Sequence, residues 1–173
     1  MVSRLKDKHI KLLIELRKNG RGQLTDISKA IKMPVSTIFD TMRTNTFGAV
    51  KKFTCLLNFE NIGLNCRANI ILKVKKEERD EIKNFLLKHH NINSVYKINN
   101  GYDFLVEAIF KDLKNVDEFT ENLESKFRIM EKKVYYIIED IAREVFMTDS
   151  LHAEMAGVCG IEAEEAKSYQ TGQ

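Results

Sequence analysis

The segment KINNGYDFLVEAIF, from Lys97 to Phe110, joins a tight turn to a strand and so decides much of the fold. The letters NNG at 99–101 are typical of a hairpin turn, because asparagine and glycine tolerate the positive φ angles that such turns require. SVYKI before the turn and the apolar run after it predict the two strands of a hairpin. The second strand opens with a carboxylate, Asp103.

Strands and helices are predicted around this hairpin in the order β-α-β-β-α-β. The segment at 68–74, ANIILKV, alternates apolar and polar residues as a half-buried strand does. Residues 75–90 and 113–127 carry apolar side chains at helical spacing, and KVYYIIEDI at 133–141 is predicted to be the last strand. This order predicts a ferredoxin-like domain, with helices on one face of a sheet.

A helical pattern precedes Phe53. Leucines at 5, 12, 13 and 16 predict a first helix that ends at Asn19 and Gly20, and LTDISKAI at 24–31 predicts a second. Pro34 suits a first helical turn, and VSTIFDTMRT at 35–44 predicts a third helix. Three short helices, the second and third tightly joined, form a helix-turn-helix pattern. The third helix is expected to bury Val35, Ile38 and Met42 and to expose Ser36, Thr37, Asp40, Thr41, Arg43 and Thr44.

Charge separates the two parts of the chain. Residues 1–52 hold 12 Lys/Arg and 4 Asp/Glu, a net charge of +8, while residues 53–173 hold 16 and 21, a net charge of −5. A basic end on an acidic body predicts a polyanionic partner for the first part, and double-stranded DNA fits it best. A merely solvated basic surface is the alternative.

Several classes of protein are disfavoured. No apolar run is long enough for a membrane span, and the start of the chain has no secretory pattern. The three cysteines, Cys55, Cys66 and Cys159, show no metal-binding spacing. We therefore expect a reduced, cytoplasmic protein without a metal site. Because no phosphate loop, zinc motif or nucleophile elbow occurs, we also expect that it is not an enzyme and has no cofactor.

Several motifs stand in one register with those of the Lrp/AsnC (leucine-responsive) transcription regulators, which the chain resembles from about Leu5 to Phe146. The motifs are NGR at 19–21, TDISKAI at 25–31, STI at 36–38, GAVKKFTCLLNFENIG at 48–63 and NNGYDFLV at 99–106.

The resemblance implies an α+β protein with an N-terminal helix-turn-helix domain and a C-terminal ferredoxin-like βαββαβ domain. The predicted boundaries are 1–52 for the helix-turn-helix domain, 53–64 for a linker strand and turn, 65–148 for a domain that senses an effector and forms oligomers, and 149–173 for an acidic tail with a disordered end. Departures from the family pattern cluster on the third helix, at Pro34, Thr41, Asn45 and Thr46.

Two sets of site residues follow from the residue types and the resemblance. A recognition helix reads base edges with polar side chains, while Lys and Arg contact phosphates. The predicted DNA-binding residues are Arg21, Lys32, Ser36, Thr37, Asp40, Thr41, Arg43 and Thr44. The predicted effector-binding residues, for an amino acid, are Asn100, Gly101, Tyr102 and Asp103. Asp103 has two interpretations that are compatible: it accepts hydrogen bonds from turn amides, or it binds the ammonium group of the effector.

Dimers are expected, because one helix-turn-helix reads too few base pairs for useful selectivity. The resemblance implies a homodimer joined through the linker strand, Phe53–Phe59, and a higher assembly of dimers. Sheets packed face to face through Tyr96, Phe104 or Tyr136 are a second predicted contact.

Two other functions stay open. One is a sensor of small molecules such as amino acids, whose DNA binding has weakened. The other is an enzyme on the same scaffold, such as a sirohaem decarboxylase, although that family carries a His-Asn-Tyr-type run where this chain has NNGYDF.

Overall fold

The computed structural model describes residues 6–44 and 48–155, and within them the chain forms two compact units. The helical unit contains the described residues up to Leu56 and those from Ala142 onward, and the sheet unit runs from Leu57 to Ile141. Residues 142–148 therefore lie with the helical unit and not, as the sequence suggested, with the sheet domain. No described helix is long and apolar enough to cross a membrane.

The sheet unit is an antiparallel four-stranded sheet in the order β2-β3-β1-β4, with one helix between β1 and β2 and another between β3 and β4. This is the predicted ferredoxin-like order, so the fold class is confirmed. The elements are β1 (Cys66–Val74), α4 (Arg79–Lys88), β2 (Ile92–Lys97), β3 (Phe104–Phe110), α5 (Leu113–Lys126) and β4 (Ile129–Tyr136).

The core of the sheet unit lies between the sheet and its two helices. Every second residue of β1 is buried, as the alternating sequence predicted. These side chains meet Ile82 and Leu86 from α4 and Val116, Phe119 and Leu123 from α5. Burial of apolar area on this scale is the main source of the unit's stability.

The two faces of the sheet differ. Phe104 is buried in the core on the helix side, so the prediction that it contacts a second subunit is wrong. Tyr136 pairs with the core residue Ala68 and lies on the helix side as well. Tyr96 pairs with Leu105 on the opposite face and is half exposed. Of the three aromatic residues, only Tyr96 is on the face that a second sheet would cover.

The helical unit begins with three short helices around a small core. Leu12, Ile27, Met33 and Ile38 are buried together, and they are spaced so that each helix contributes to one cluster. The second and third helices have the predicted bounds, because their apolar residues recur at helical spacing on the two sides of the turn at Lys32. The helices are α1 (Asp7–Lys18), α2 (Leu24–Ile31) and α3 (Val35–Thr44).

The chain's C-terminal part completes this unit. Ala153, in the short helix α6 (Ser150–Met155), is fully buried against Ile10 and Ile14 of α1, and Met147 packs beside them. Arg17 of α1 holds the same segment, since its guanidinium donates to the Glu144 carboxylate at 2.7 Å, to the Glu144 carbonyl at 2.8 Å and to the Phe146 carbonyl at 3.0 Å. The predicted disorder at the end of the tail concerns residues 156–173, outside the described residues.

The linker has no regular secondary structure between residues 49 and 58. The sequence predicted a strand at Phe53–Phe59, but a strand requires a neighbour to pair with. Phe53, Leu56 and Leu57 are each about half exposed, at 53%, 55% and 49%. The predicted strand is therefore absent within the single chain, and its pairing with a second copy stays a prediction.

Candidate ligand cleft and DNA-reading helix

The hairpin turn has the geometry that its sequence predicts. Asn100 and Gly101 have φ angles of 61° and 85°, in the left-handed region that favours asparagine and glycine. The Ile98 amide donates to the Asp103 carbonyl at 3.1 Å and closes the loop. The turn leaves Asn100 and Gly101 exposed, so their backbone is accessible to a ligand.

Asp103 is a buried carboxylate that ties three elements together. It is 7% exposed, and its own amide donates to the Leu72 carbonyl at 2.8 Å. One carboxylate oxygen accepts from the Val74 amide at 2.8 Å, and the other lies 2.6 Å from the Arg79 guanidinium. The carboxylate thus fixes the end of β1 and the first residue of α4. The interpretation that the Asp103 side chain accepts from turn amides is wrong, because its partner amide lies 29 residues away and only the backbone carbonyl accepts from Ile98.

A cleft of about 620 Å³ opens beside Asp103. Gly101, Tyr102 and Asp103 line it, so the structure brings three of the four predicted effector residues to one place. Four cations and two acids share the wall, which makes the cleft net positive and suited to an anionic group. The other lining residues are Lys73, Val74, Lys75, Lys76, Glu77, Arg79 and Met130.

Tyr102 is anchored on the sheet beside this cleft. Its hydroxyl donates to the Glu131 carboxylate at 2.6 Å, and the Lys133 ammonium lies 4.9 Å from the centre of its ring. This hydrogen bond is the main reason that the pKa of Glu131 is lowered. Sequence reasoning missed Arg79 and the lysines, although the basic run KVKK at 73–76 gave a signal for them.

The turn before α3, the helix that the sequence predicts to read DNA, is held by two reciprocal contacts. The Ser28 hydroxyl donates to the Met33 carbonyl at 2.6 Å, and the Met33 amide donates back to the Ser28 carbonyl at 3.1 Å. Lys32 adopts a left-handed conformation, with φ of 52°, and so reverses the chain between α2 and α3. Lys32 is exposed beside α3, as a phosphate contact requires, and Arg21 is exposed as well.

The exposed face of α3 differs from the predicted one at three positions. Thr41 is only 7% exposed, and its hydroxyl donates to the Thr37 carbonyl at 2.6 Å, so the prediction that it points outward is wrong. A threonine tolerates burial here because its hydroxyl bonds the backbone four residues earlier. Val35, predicted to be buried, is 38% exposed, and Phe39, which the predicted exposed face omits, is 54% exposed.

Four predicted DNA-binding side chains on α3 keep their polar groups in solvent. Ser36, Thr37, Asp40 and Arg43 are exposed, and the Arg43 guanidinium lies 3.4 Å from the Asp40 carboxylate. The exposed Thr44 directs its hydroxyl to the Asp40 carbonyl at 2.6 Å. Such exposed ion pairs within one helix are weak and are easily exchanged for another partner.

Comparisons with known proteins identify a family with the same sequence features. Residues 67–144 match the family model described as the Lrp/AsnC ligand binding domain. The chain is 33% identical over 112 residues to the HTH-type transcriptional regulator FL11 of Pyrococcus furiosus, a match that covers 64% of this chain and 74% of that protein. It is 28% identical over 137 residues to an uncharacterized HTH-type transcriptional regulator of Pyrococcus horikoshii, which covers 79% of this chain and 92% of the relative.

Solved structures show the same fold. A transcriptional regulator of Neisseria meningitidis, solved as a complex with L-Met, superposes with a TM-score of 0.72 at 20% identity and covers 80% of this chain and 93% of its own. LrpC of Bacillus subtilis gives a TM-score of 0.71 at 18% identity and covers 81% and 99%. The chain belongs to the Lrp/AsnC family of HTH-type transcriptional regulators.

Proposed function

We propose that this protein regulates transcription by binding specific DNA sequences with α3, and that an amino acid effector adjusts this binding. Membership of the Lrp/AsnC family supports the proposal. The single observation that carries it is the polar face of α3, where Ser36, Thr37, Asp40 and Arg43 are exposed on a unit of positive charge.

The proposed contacts divide by chemistry. Arg43 reaches a guanine edge or a phosphate after leaving Asp40, because its present contact is a weak surface ion pair. Ser36 and Thr37 contact base edges, and Asp40 accepts from a cytosine amine. Arg21 and Lys32 bind phosphates and set the position of the unit. Thr44 remains a proposed contact, while the buried Thr41 supports the helix from behind.

We further propose that the functional protein is a homodimer that assembles into larger groups of dimers. The exposed apolar residues of the linker, Phe53, Leu56 and Leu57, lie in a segment whose strand pairing a second copy would satisfy. Two helical units in one dimer would read two half-sites about one helical turn of DNA, roughly 34 Å, apart.

The effector site is proposed at the positive cleft. The exposed backbone at Asn100 and Gly101, with the half-buried Tyr102 beside it, would meet the carboxylate of an amino acid, and its ammonium group would compete with Arg79 for Asp103. A released Arg79 would then be available to the effector carboxylate. The L-Met complex of the Neisseria regulator supports an amino acid as the effector class.

The proposed role is binding without catalysis, in the cytoplasm and without a cofactor. The curated relatives are named transcriptional regulators. Turnover of an added metabolite would contradict this part of the proposal.

The decisive experiment is a binding titration against the DNA upstream of the protein's own gene, with unrelated DNA as competitor, at two salt concentrations. Arg43→Ala should weaken specific binding by at least about fivefold, since a good base contact is worth about 1–3 kcal/mol. Arg128→Ala, which removes an exposed arginine of the sheet unit, is the matched control and should change nothing.

Equal binding of specific and unrelated DNA, or no binding, contradicts the DNA-reading role and leaves the effector cleft as the function to pursue. The same titration with each amino acid added tests the effector, and no change with any of them contradicts that site. Light scattering in the same buffer tests the assembly, and a monomeric mass contradicts the proposed dimer.

A further inference from the structure

Phe39 is an aromatic side chain that α3 leaves in solvent. It is 54% exposed, although the core of the helical unit lies on the other side of the same helix. Val35, one turn earlier, is 38% exposed. Single apolar residues on a surface are common, but two that lie one helical turn apart form a continuous apolar strip.

The strip lies next to the polar side chains proposed to read DNA. Ser36 precedes Phe39 by three residues and Arg43 follows it by four, so all three share one side of the helix. The buried positions Ile38 and Thr41 occupy the other side. Val35, Ser36 and Phe39 also fall in the first five residues of α3, the end of a recognition helix that contacts base edges.

The charge around the strip indicates what covers it. Arg43 and Lys32 are exposed nearby, and residues 1–52, which contain α1 to α3, carry a net charge of +8, so this part of the helical unit attracts a polyanion. The apolar group that a DNA duplex displays in its major groove is the C5-methyl of thymine. Phe39 lies beside side chains that can form hydrogen bonds. It would therefore suit a major groove in which a thymine lies next to the bases that those polar side chains contact.

We propose that Phe39, with Val35 beside it, recognises thymine C5-methyl groups in the major groove and so sets the sequence preference of this protein. This inference rests on the proposed function, because it requires α3 to enter the groove. It assigns the two kinds of specificity to different residues: Arg43 and its polar neighbours read hydrogen-bonding groups, and Phe39 distinguishes thymine from cytosine by the methyl.

The test begins with selection of binding sites from random duplex DNA by the full-length protein. Each thymine of the selected site is then replaced by deoxyuridine, which removes the methyl and leaves the hydrogen-bonding groups unchanged. The wild-type protein should lose about fourfold in affinity at the contacted thymine, the value expected for one buried carbon group. Phe39→Ala should bind the thymine and the deoxyuridine sites equally, and Phe39→Leu should keep part of the difference.

The controls separate this inference from the proposed function. Leu113→Ala removes an equally exposed apolar residue of the sheet unit and should leave the fourfold difference intact. The salt dependence of binding should be unchanged in Phe39→Ala, because this residue neutralises no phosphate. Thermal unfolding of each variant shows that the helical unit remains folded.

If the wild-type protein selects a site but tolerates deoxyuridine at every thymine, Phe39 does not read methyl groups and the inference is wrong while the regulator stands. The same conclusion follows if Phe39→Ala loses as much affinity on deoxyuridine substitution as the wild type. If the protein selects no sequence at all, both the inference and the proposed function fail.

Discussion

Arg43 and Asp103 were both predicted to bind ligands, and the structure gives them opposite environments. Arg43 projects from α3 into solvent, and a single contact of 3.4 Å joins it to Asp40. Asp103 is 7% exposed, with contacts of 2.6 Å and 2.8 Å to groups on two other elements. Asp103 therefore stabilises the fold, whereas Arg43 is exposed and free to change its partner.

This difference separates two ways of building a binding residue. The guanidinium of Arg43 is exposed and weakly paired, so a DNA phosphate or base edge would displace Asp40 from it at little cost. The carboxylate of Asp103 is buried and already satisfied, so a ligand must replace Arg79 and not merely join it. Substitutions of equal chemistry at the two sites therefore test the contrast directly.

The largest effect is expected at Asp103. Asp103→Ala should lower the free energy of unfolding of the sheet unit by about 3 kcal/mol, because it leaves the Val74 amide and Arg79 without their acceptor. Asp40→Ala, the same substitution in the exposed pair, should stay within about 0.5 kcal/mol. Urea unfolding followed by tyrosine fluorescence measures the first, since four of the five tyrosines lie in the sheet unit.

Asp103→Asn refines this result, because the amide oxygen can still accept from Val74 while the charge opposite Arg79 is lost. Its loss of stability should fall between those of the wild type and Asp103→Ala. If Asp103→Ala is as stable as the wild type, Asp103 does not stabilise the fold and does not differ in this respect from the exposed Arg43–Asp40 pair. Ligand binding would then be the only role left for Asp103.

An intermediate effect is expected where the C-terminal segment meets α1. Ala153→Asp places a charge against Ile10 and Ile14, but the short helix α6 can undock, so the cost should be limited to about 1–2 kcal/mol. Leu151→Asp, on the same helix at 60% exposure, is the matched control and should be neutral.

Hydrogen exchange measures this effect, because the α1 amides should exchange faster in Ala153→Asp while the helices α4 and α5 of the sheet unit stay unchanged. Unchanged exchange would mean that α1 does not depend on the C-terminal segment. The three N-terminal helices would then be stable without the C-terminal segment, just as the sheet unit is formed by one continuous segment of the chain.

The sequence predicted the elements far better than the environments of single side chains. The order of strands and helices followed from local apolar spacing, and α2 and α3 have the predicted bounds because the turn between them interrupts that spacing. Thr41 was placed on the wrong side of α3, since a helical pattern treats threonine as polar and cannot show that its hydroxyl bonds the Thr37 carbonyl.

Contacts distant in sequence were out of reach. The residues next to Asp103 in the sequence do not indicate that its carboxylate accepts from the Val74 amide, 29 residues earlier, or that Arg79 is its counter-ion. The docking of residues 142–155 on α1 was missed for a similar reason, because α6 has six residues and Ala153 is the one buried residue among its described side chains, which leaves almost no apolar pattern.

The smallest effect concerns His89, at the end of α4 in the sheet unit. Burial is the main cause that lowers its pKa, and the nearby His90 and Lys126 lower it further. Because the folded protein holds this proton less tightly than the unfolded chain, the free energy of unfolding should fall as the pH drops through the ordinary histidine range near 6.5, until the lowered folded pKa is passed.

His89→Gln should flatten that decline, and its amide oxygen can replace the ring nitrogen that accepts from the Asn91 amide at 3.3 Å. His152→Gln, in the helical unit, should leave the decline of the sheet unit unchanged. A decline that persists in His89→Gln would assign it to other groups. It would also show that His89, although it packs against Phe85 and Phe119, contributes nothing to the pH dependence of the free energy of unfolding.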